Sequence, residues 1–106
     1  MREVVVTSDK RSFELPPDLR HATCAELRQG LLQAIEEATA QAASELEIDA
    51  RRVRWIDTGG LQLLLSLRCT CQQRGIRLAW RHASDELLRA CWRAGASERL
   101  GLGEQT

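Results

Sequence analysis

The chain has 106 residues, of which 43% are hydrophobic and 28% are charged. This size and composition are typical of one globular domain around one core, so we expect a single domain over residues 1–106. The formal net charge of zero disfavours a nucleic-acid-binding protein, since such proteins usually carry a basic excess.

No segment of the sequence has the form of a membrane span or a secretory signal. The longest nearly apolar stretch, Leu61 to Leu67, is interrupted by two polar residues, and a span requires about 20 apolar residues. The N-terminal Met1-Arg2-Glu3 leads into no long apolar run. We therefore expect a cytoplasmic protein without direct membrane insertion.

The first half of the chain is predicted to begin with strands and continue into a helix. Within residues 1–20, Glu3 to Thr7 and Phe13 to Leu15 have strand character, and Pro16-Pro17 ends the second strand because proline cannot donate to a β-ladder. Thr23 and Glu26 have the spacing of a capping box, which predicts a helix to about Ala40. Its apolar stripe consists of Leu27, Leu31, Ile35 and Ala38.

The second half alternates strands and helices. Ser44 to Asp49 and Ile76 to Arg81 alternate apolar and polar residues, as half-buried strands do. Between them, a leucine-rich helix is predicted from about Thr58 to Gln73. Ser84 is expected to cap a third helix that ends at Gly95. A last helical turn is predicted for Ser97 to Leu100, and a loose tail for Gly103 to Thr106.

This order of elements predicts an α/β fold. A helix between two strands implies a parallel, right-handed crossover. Strands covered by helices on both faces are usually apolar throughout, whereas these strands alternate. We therefore expect an open sheet with its helices mainly on one face.

The turn between Val53 and Leu61 is the most informative segment. A strand there leads into a helix whose first residues are Asp57, Thr58, Gly59 and Gly60. The amides of a helix start favour a hydroxyl, a carboxylate or a phosphate. From spacing alone, Asp57 or Thr58 is a helix cap, and a purely structural role for Thr58 is the simpler interpretation.

Leu46-Glu47-Ile48-Asp49, followed by Val53 and by Ile56 through Leu65, resembles the signature of STAS domains, the fold of bacterial anti-sigma factor antagonists. The resemblance covers roughly Leu46 to Leu102. It implies a mixed open sheet with helices on one side. It also implies binding to a switch-protein serine kinase of the anti-sigma type, with phosphorylation at the helix start abolishing that binding.

The sequence departs from the family pattern at the phosphorylated position. The family has two hydroxyl residues between the aspartate and the glycine, and the second is the acceptor; here the second position is Gly59. Thr58 remains as the phosphorylation candidate. The same Asp-Thr-Gly-Gly-Leu also resembles the STAS subunit of the phospholipid-trafficking ABC transporter Mla, which binds the ATPase, and STAS proteins encoded with chemotaxis kinases.

The partner-binding surface is therefore predicted at the start of the second helix and along its polar stripe. The candidate residues are Asp57, Thr58, Gly59, Gly60, Gln62 and Ser66. Asp18 is a further candidate because it can stand in for the acidic residue that the family often has before its first helix. Trp55, which precedes the motif, is predicted at the rim of the surface or in the core, and Trp80 and Trp92 in the core.

Catalysis is disfavoured by the types and spacing of reactive residues. His21 and His82 lie in no metal or triad spacing, and His82 is expected in a solvent-facing loop. No phosphate-binding glycine-lysine loop is present. The four cysteines form no Cys-x-x-Cys pair, and Cys69 and Cys71 should point to nearly opposite sides of a helix. We expect free thiols and a protein without enzymatic activity, metal or cofactor.

Overall fold

The structure, a computed structural model, describes residues 10–102 and contains five strands and four α-helices within that range. The strands are β1 (Lys10–Glu14), β2 (Asp18–Leu19), β3 (Glu45–Ala50), β4 (Trp55–Ile56) and β5 (Arg77–Ala83). The helices are α1 (Cys24–Ala40), α2 (Thr58–Gln73), α3 (Asp85–Ala94) and α4 (Ser97–Leu100). A 3-10 turn, His21–Thr23, precedes α1.

The strands form two small parallel sheets. One has the order β1-β3-β5, and the other pairs β2 with β4. The α/β class is confirmed, and every described strand pair is parallel. The predicted strand Glu3 to Thr7 and the predicted tail Gly103 to Thr106 lie outside the described residues.

The alternation predicted for β3 is present. Leu46, Ile48 and Ala50 are fully buried, whereas the acidic residues between them are partly exposed. Helices α1 and α2 pack against the buried face of the sheet. Helix α1 does so through the apolar stripe that was predicted for it. The opposite face is lined by polar side chains such as Ser12 and Glu47. Burial of one face therefore explains why β3 alternates instead of being apolar throughout.

Two predicted helix starts differ in their chemistry. The Thr23 hydroxyl makes no capping bond to α1 and instead donates to the backbone carbonyls of Asp18 and Arg20, so the predicted capping box is wrong. The backbone of Thr23 is already helical, which turns its side chain away from the helix amides. At α3, the Ser84 hydroxyl accepts a hydrogen bond from the Leu87 amide, as predicted.

Two aromatic residues that were predicted to be core have different environments. Trp80 packs against the core, and its indole Nε1 donates to the Leu100 carbonyl at 2.6 Å. Trp92 is 79% exposed, so its predicted burial is wrong. It follows the buried Cys91 directly, and successive helical residues point about 100° apart, so the two side chains do not share a face.

His82 lies within β5 and not in a loop, although its side chain is exposed as predicted.

Cys71 is buried and Cys69 is exposed, in agreement with their predicted opposite orientation. Cys24, Cys69, Cys71 and Cys91 are free thiols. Burial raises the pKa of Cys71 and raises the pKa of Cys91 to about 11.

Within residues 10–102, no helix is both long and apolar enough to cross a membrane.

Candidate functional site

The start of α2 is fixed by the carboxylate of Asp57. One oxygen, Oδ1, accepts a hydrogen bond from the Gly60 amide at 3.0 Å and caps the helix. The other, Oδ2, accepts a hydrogen bond from the His21 amide at 2.9 Å. One side chain therefore joins the first turn of α2 to the 3-10 turn that precedes α1, 36 residues earlier in the chain.

These hydrogen bonds keep Asp57 ionised. The His21 amide, followed by the Gly60 amide, lowers the pKa of the carboxyl below its ordinary value, because both hydrogen bonds favour the charged form. An ionised carboxylate with both oxygens held by backbone amides is suited to fixing the local backbone. It is poorly placed to act as a general acid or base.

Gly60 allows two backbone segments to approach each other closely. A Cβ at this position would overlap the carbonyl oxygen of Leu19 and lie 3.0 Å from the Ile56 Cγ1 atom. Gly60 and Leu19 are buried, and Leu19 pairs with Ile56 where β2 meets β4. The glycine is thus required by the packing of β2 over the first turn of α2.

Thr58 and Gly59 form the accessible part of the turn. Thr58 is exposed, and its hydroxyl has no hydrogen-bond partner within residues 10–102. Gly59 is partly exposed, and a Cβ there would lie 3.3 Å from Asp57 Oδ1 and 3.6 Å from His21 Nδ1. The cap is therefore Asp57, which leaves the Thr58 hydroxyl free for a partner or a modification.

Asp18 and Trp55 lie beside this turn and are joined by Arg20. The carboxylate of Asp18 accepts hydrogen bonds from Arg20 Nε and Nη2, each at 2.9 Å. The guanidinium carbon of Arg20 lies 5.6 Å from the centre of the Trp55 ring, within the range of a cation–π interaction. Asp18 and Trp55 are opposite each other in the β2–β4 pair.

The bidentate ion pair determines the electrostatics of this corner. The hydrogen bonds between the two side chains favour both charged forms, so they lower the pKa of Asp18 and raise the pKa of Arg20. Trp55 is 51% exposed and so does not belong to the core, one of the two positions predicted for it; a place at the rim of the binding surface stays a prediction. The guanidinium group of Arg20 thus lies over the Trp55 ring while its charge is balanced by Asp18.

The predicted polar stripe separates into two parts. Gln62 and Ser66 are both exposed and follow Thr58 at four-residue intervals along α2. Gln62 is one turn from Thr58, whereas Ser66 is two turns away, or about 12 Å at 1.5 Å per residue. Ser66 lines a shallow groove of about 60 Å³ between α1 and α2.

The structure therefore brings together seven of the eight predicted residues around the start of α2. They are Asp18, Trp55, Asp57, Thr58, Gly59, Gly60 and Gln62. Gly60 is buried beneath the turn; we call the other six, with Arg20 and His21, the α2-start surface. Sequence analysis did not assign Arg20 or His21 to it, although the two-residue spacing of Asp18 and Arg20 was a usable signal, since aspartate side chains often bond two residues ahead.

Comparisons with known proteins point to one domain family. The family model described as "Mlab, STAS domain" matches residues 7–102. Among solved structures, the chain is similar to a sulfate transporter family protein from Wolinella succinogenes. The TM-score is 0.72 and the sequence identity is 29%, over 96% of this chain and 78% of that one. None of the curated proteins matches the chain in sequence.

Proposed function

The chain belongs to the STAS domain family, and on that premise we propose that it is a non-catalytic binding protein that docks an ATP-binding protein partner through the α2-start surface. STAS domains generally mediate protein–protein interactions and are generally not enzymes. The observation that carries the proposal is the division of roles between Asp57 and Thr58. Asp57 fixes the backbone with both oxygens, while the Thr58 hydroxyl remains exposed and unbonded within residues 10–102.

The neighbouring residues supply the other contacts that a protein partner needs. Trp55 offers a half-exposed indole, and Arg20 is already held by Asp18, so little of its side-chain entropy remains to be lost on binding. Tryptophan and arginine are the residues that most often dominate binding energy at interfaces. A pre-organised aromatic and cationic rim beside a hydroxyl suits docking better than catalysis.

The first candidate partner is the ATPase subunit of an ABC transporter for phospholipid trafficking. Two observations favour it over the switch kinase. The matching family model is the Mlab STAS domain. Moreover, Gly59 occupies the position that carries the phosphorylated hydroxyl in the anti-sigma factor antagonists that this chain resembles. A chain that lacks this acceptor is better suited to a permanent subunit than to a phosphorylation switch.

The second candidate is a serine kinase of the anti-sigma type or a partner in a chemotaxis pathway. It is favoured by the exposed hydroxyl of Thr58. A phosphate there would add about −1.5 to −2 charges beside the ionised Asp57. The free helix start could tolerate that charge, but an acidic partner would be repelled. Phosphorylation would then release the partner without unfolding the domain.

The two candidates can be distinguished by affinity capture from cell extract and from detergent-solubilised membranes. The baits are the wild-type chain, Thr58→Glu and the control Ser12→Glu, which adds the same charge at an exposed position on the polar face of the sheet. We expect one ATP-binding protein to be retained by wild type and by the control and to be lost with Thr58→Glu. An ABC ATPase supports the first candidate, and a serine kinase supports the second.

The result that would contradict the proposal is an ATP-binding partner retained equally by all three baits. A glutamate in the first turn suits the helix dipole, so Thr58→Glu should remain folded. Circular dichroism of the three baits checks this. Loss of the partner by a folded variant is then a loss of contact and not of structure.

A further inference from the structure

The exposed indole of Trp92 belongs to a well-ordered helix. Ser84 caps the first turn of α3 through the Leu87 amide at 3.1 Å, and Gly95 ends the helix with φ at 69°. With both ends fixed in this way, the 79% exposure of Trp92 is a property of the folded helix and not of a frayed end. Tryptophan is enriched among the few residues that dominate the binding energy of protein interfaces.

The core does not use Trp92. Leu87, Ala90 and Cys91 form the buried side of α3. At 100° per residue, Trp92 points roughly 150° away from the mean direction of these three side chains. Leu88, one turn earlier and half-buried, extends the apolar surface towards the core. The indole therefore lies near the centre of the outward face, where it contributes little to folding.

Two arginines adjoin the indole. Arg89 and Arg93 are exposed and one turn apart. Arg89, three residues before Trp92, lies beside the indole on the outward face, whereas Arg93 points about 100° away from the indole, at the edge of that face. Neither forms an ion pair within residues 10–102, even though Asp85 lies in the same helical row. The outward face thus combines one exposed aromatic ring with two unpaired positive charges.

We propose that Trp92, Arg89 and Arg93 form a second docking surface, for a protein segment that carries carboxylates beside apolar side chains. Charge complementarity identifies the occupant: the guanidinium groups bind the carboxylates, and the indole packs against the apolar side chains. This surface contains no residue of the α2-start surface, so the inference goes beyond the proposed function and does not depend on it.

Two other occupants fit the face less well. A second copy of the chain related by a two-fold axis through Trp92 would bring the arginines of both copies together, which is unfavourable. An anionic membrane surface usually requires a cluster of four or more basic residues. Here α3 carries only two arginines, and its first turn is acidic, with Asp85 and Glu86.

The probe is a random-peptide library displayed on phage and selected on the wild-type chain. We expect selected peptides rich in Asp and Glu together with apolar residues. A selected peptide, measured by fluorescence anisotropy, should bind Trp92→Ala about tenfold or more weakly, as for an interface hot spot. The double variant Arg89→Glu/Arg93→Glu should lose binding similarly, whereas the control Arg28→Glu, with a charge reversal on α1, should bind like wild type.

Four results would overturn the proposal. The selected peptides could be basic, or they could bind Trp92→Ala as tightly as wild type. Sedimentation could show a dimer that Trp92→Ala dissociates. Vesicles of equal parts phosphatidylglycerol and phosphatidylcholine could bind wild type but not Trp92→Ala.

Two controls accompany these measurements. Because Trp92 is not part of the core, Trp92→Ala should fold normally, and its unfolding midpoint checks this. Thr58→Glu should leave peptide binding unchanged, which separates this surface from the α2-start surface.

Discussion

Replacing Gly60 by alanine tests the packing that forms the α2-start surface. The added methyl group would overlap the carbonyl oxygen of Leu19, so β2 or the first turn of α2 must move. Overpacking of this kind costs about 1–3 kcal/mol, and a contact with backbone, which cannot rotate away, belongs at the upper end. Alanine recovers about 1 kcal/mol of helix propensity. We expect a net loss of about 2 kcal/mol.

Gly59→Ala is the matched control, since it makes the same chemical change one residue earlier. Its methyl group would lie 3.3 Å from Asp57 Oδ1, which must move by a few tenths of an ångström, and in ordinary contact with His21 Nδ1 at 3.6 Å. We expect a free energy of unfolding that is unchanged or higher by up to about 1 kcal/mol. For a domain of this size, Gly60→Ala should lower Tm by about 8–16 °C.

Urea unfolding followed by circular dichroism measures both variants. If Gly60→Ala were as stable as wild type, or if Gly59→Ala were destabilised equally, the close approach of β2 to α2 would be wrong.

Three further predictions concern other parts of the fold. Ser84→Ala removes the cap of α3 and should lower the free energy of unfolding by about 0.5–2 kcal/mol, measured by urea denaturation, and an unchanged midpoint would contradict the cap. Trp80→Phe leaves the Leu100 carbonyl without its donor and should cost about 1–3 kcal/mol in the same assay, whereas no loss would mean that water replaces the indole. Asp57 and Asp49 have pKa values below the ordinary 3.8, that of Asp49 being about 2, so they stabilise the fold above pH 4 and lose this effect as the pH falls towards 2. Unfolding measured across that range should show the decline, and Asp49→Asn should reduce it.

Periodicity and turn chemistry made much of the fold predictable. The bounds of α2 were predicted as about Thr58 to Gln73 and are observed at these residues, and Gly75, with φ of 71°, follows the end of the helix. The alternation in β3 correctly indicated one buried face. These signals are local, so a single sequence contains them.

The remaining features depend on contacts between distant segments. Strands β2 and β4 have two residues each, too short for any periodicity, and they pair beside the hydrogen bonds that the Pro17 carbonyl accepts from the amides of Arg54 and Trp55. The His21–Asp57 hydrogen bond joins segments 36 residues apart. No local pattern reports such contacts. Hence the partners of Asp57 were not predicted, although Asp57 itself was.

The α2-start surface combines rigidity with the absence of a free reactive carboxylate. Asp18 holds Arg20 against Trp55, and Asp57 holds two backbone segments. Each acidic side chain is thus committed to an intramolecular partner. The side chains of Thr58, Gln62 and His21, the Trp55 indole and the outer face of the Arg20 guanidinium group remain exposed. Exposed hydrogen-bonding groups beside an indole are suited to recognising another protein.

Hydrogen exchange of the wild-type chain, alone and with the ATP-binding partner retained in affinity capture, tests the central claim most directly. The account predicts slower exchange at the backbone amides of residues 18–21 and 57–62, because docking on the α2-start surface would cover both segments. The polar face of the sheet should exchange at an unchanged rate. Protection confined to β1 and the polar face, with residues 57–62 exchanging as in the free chain, would contradict it.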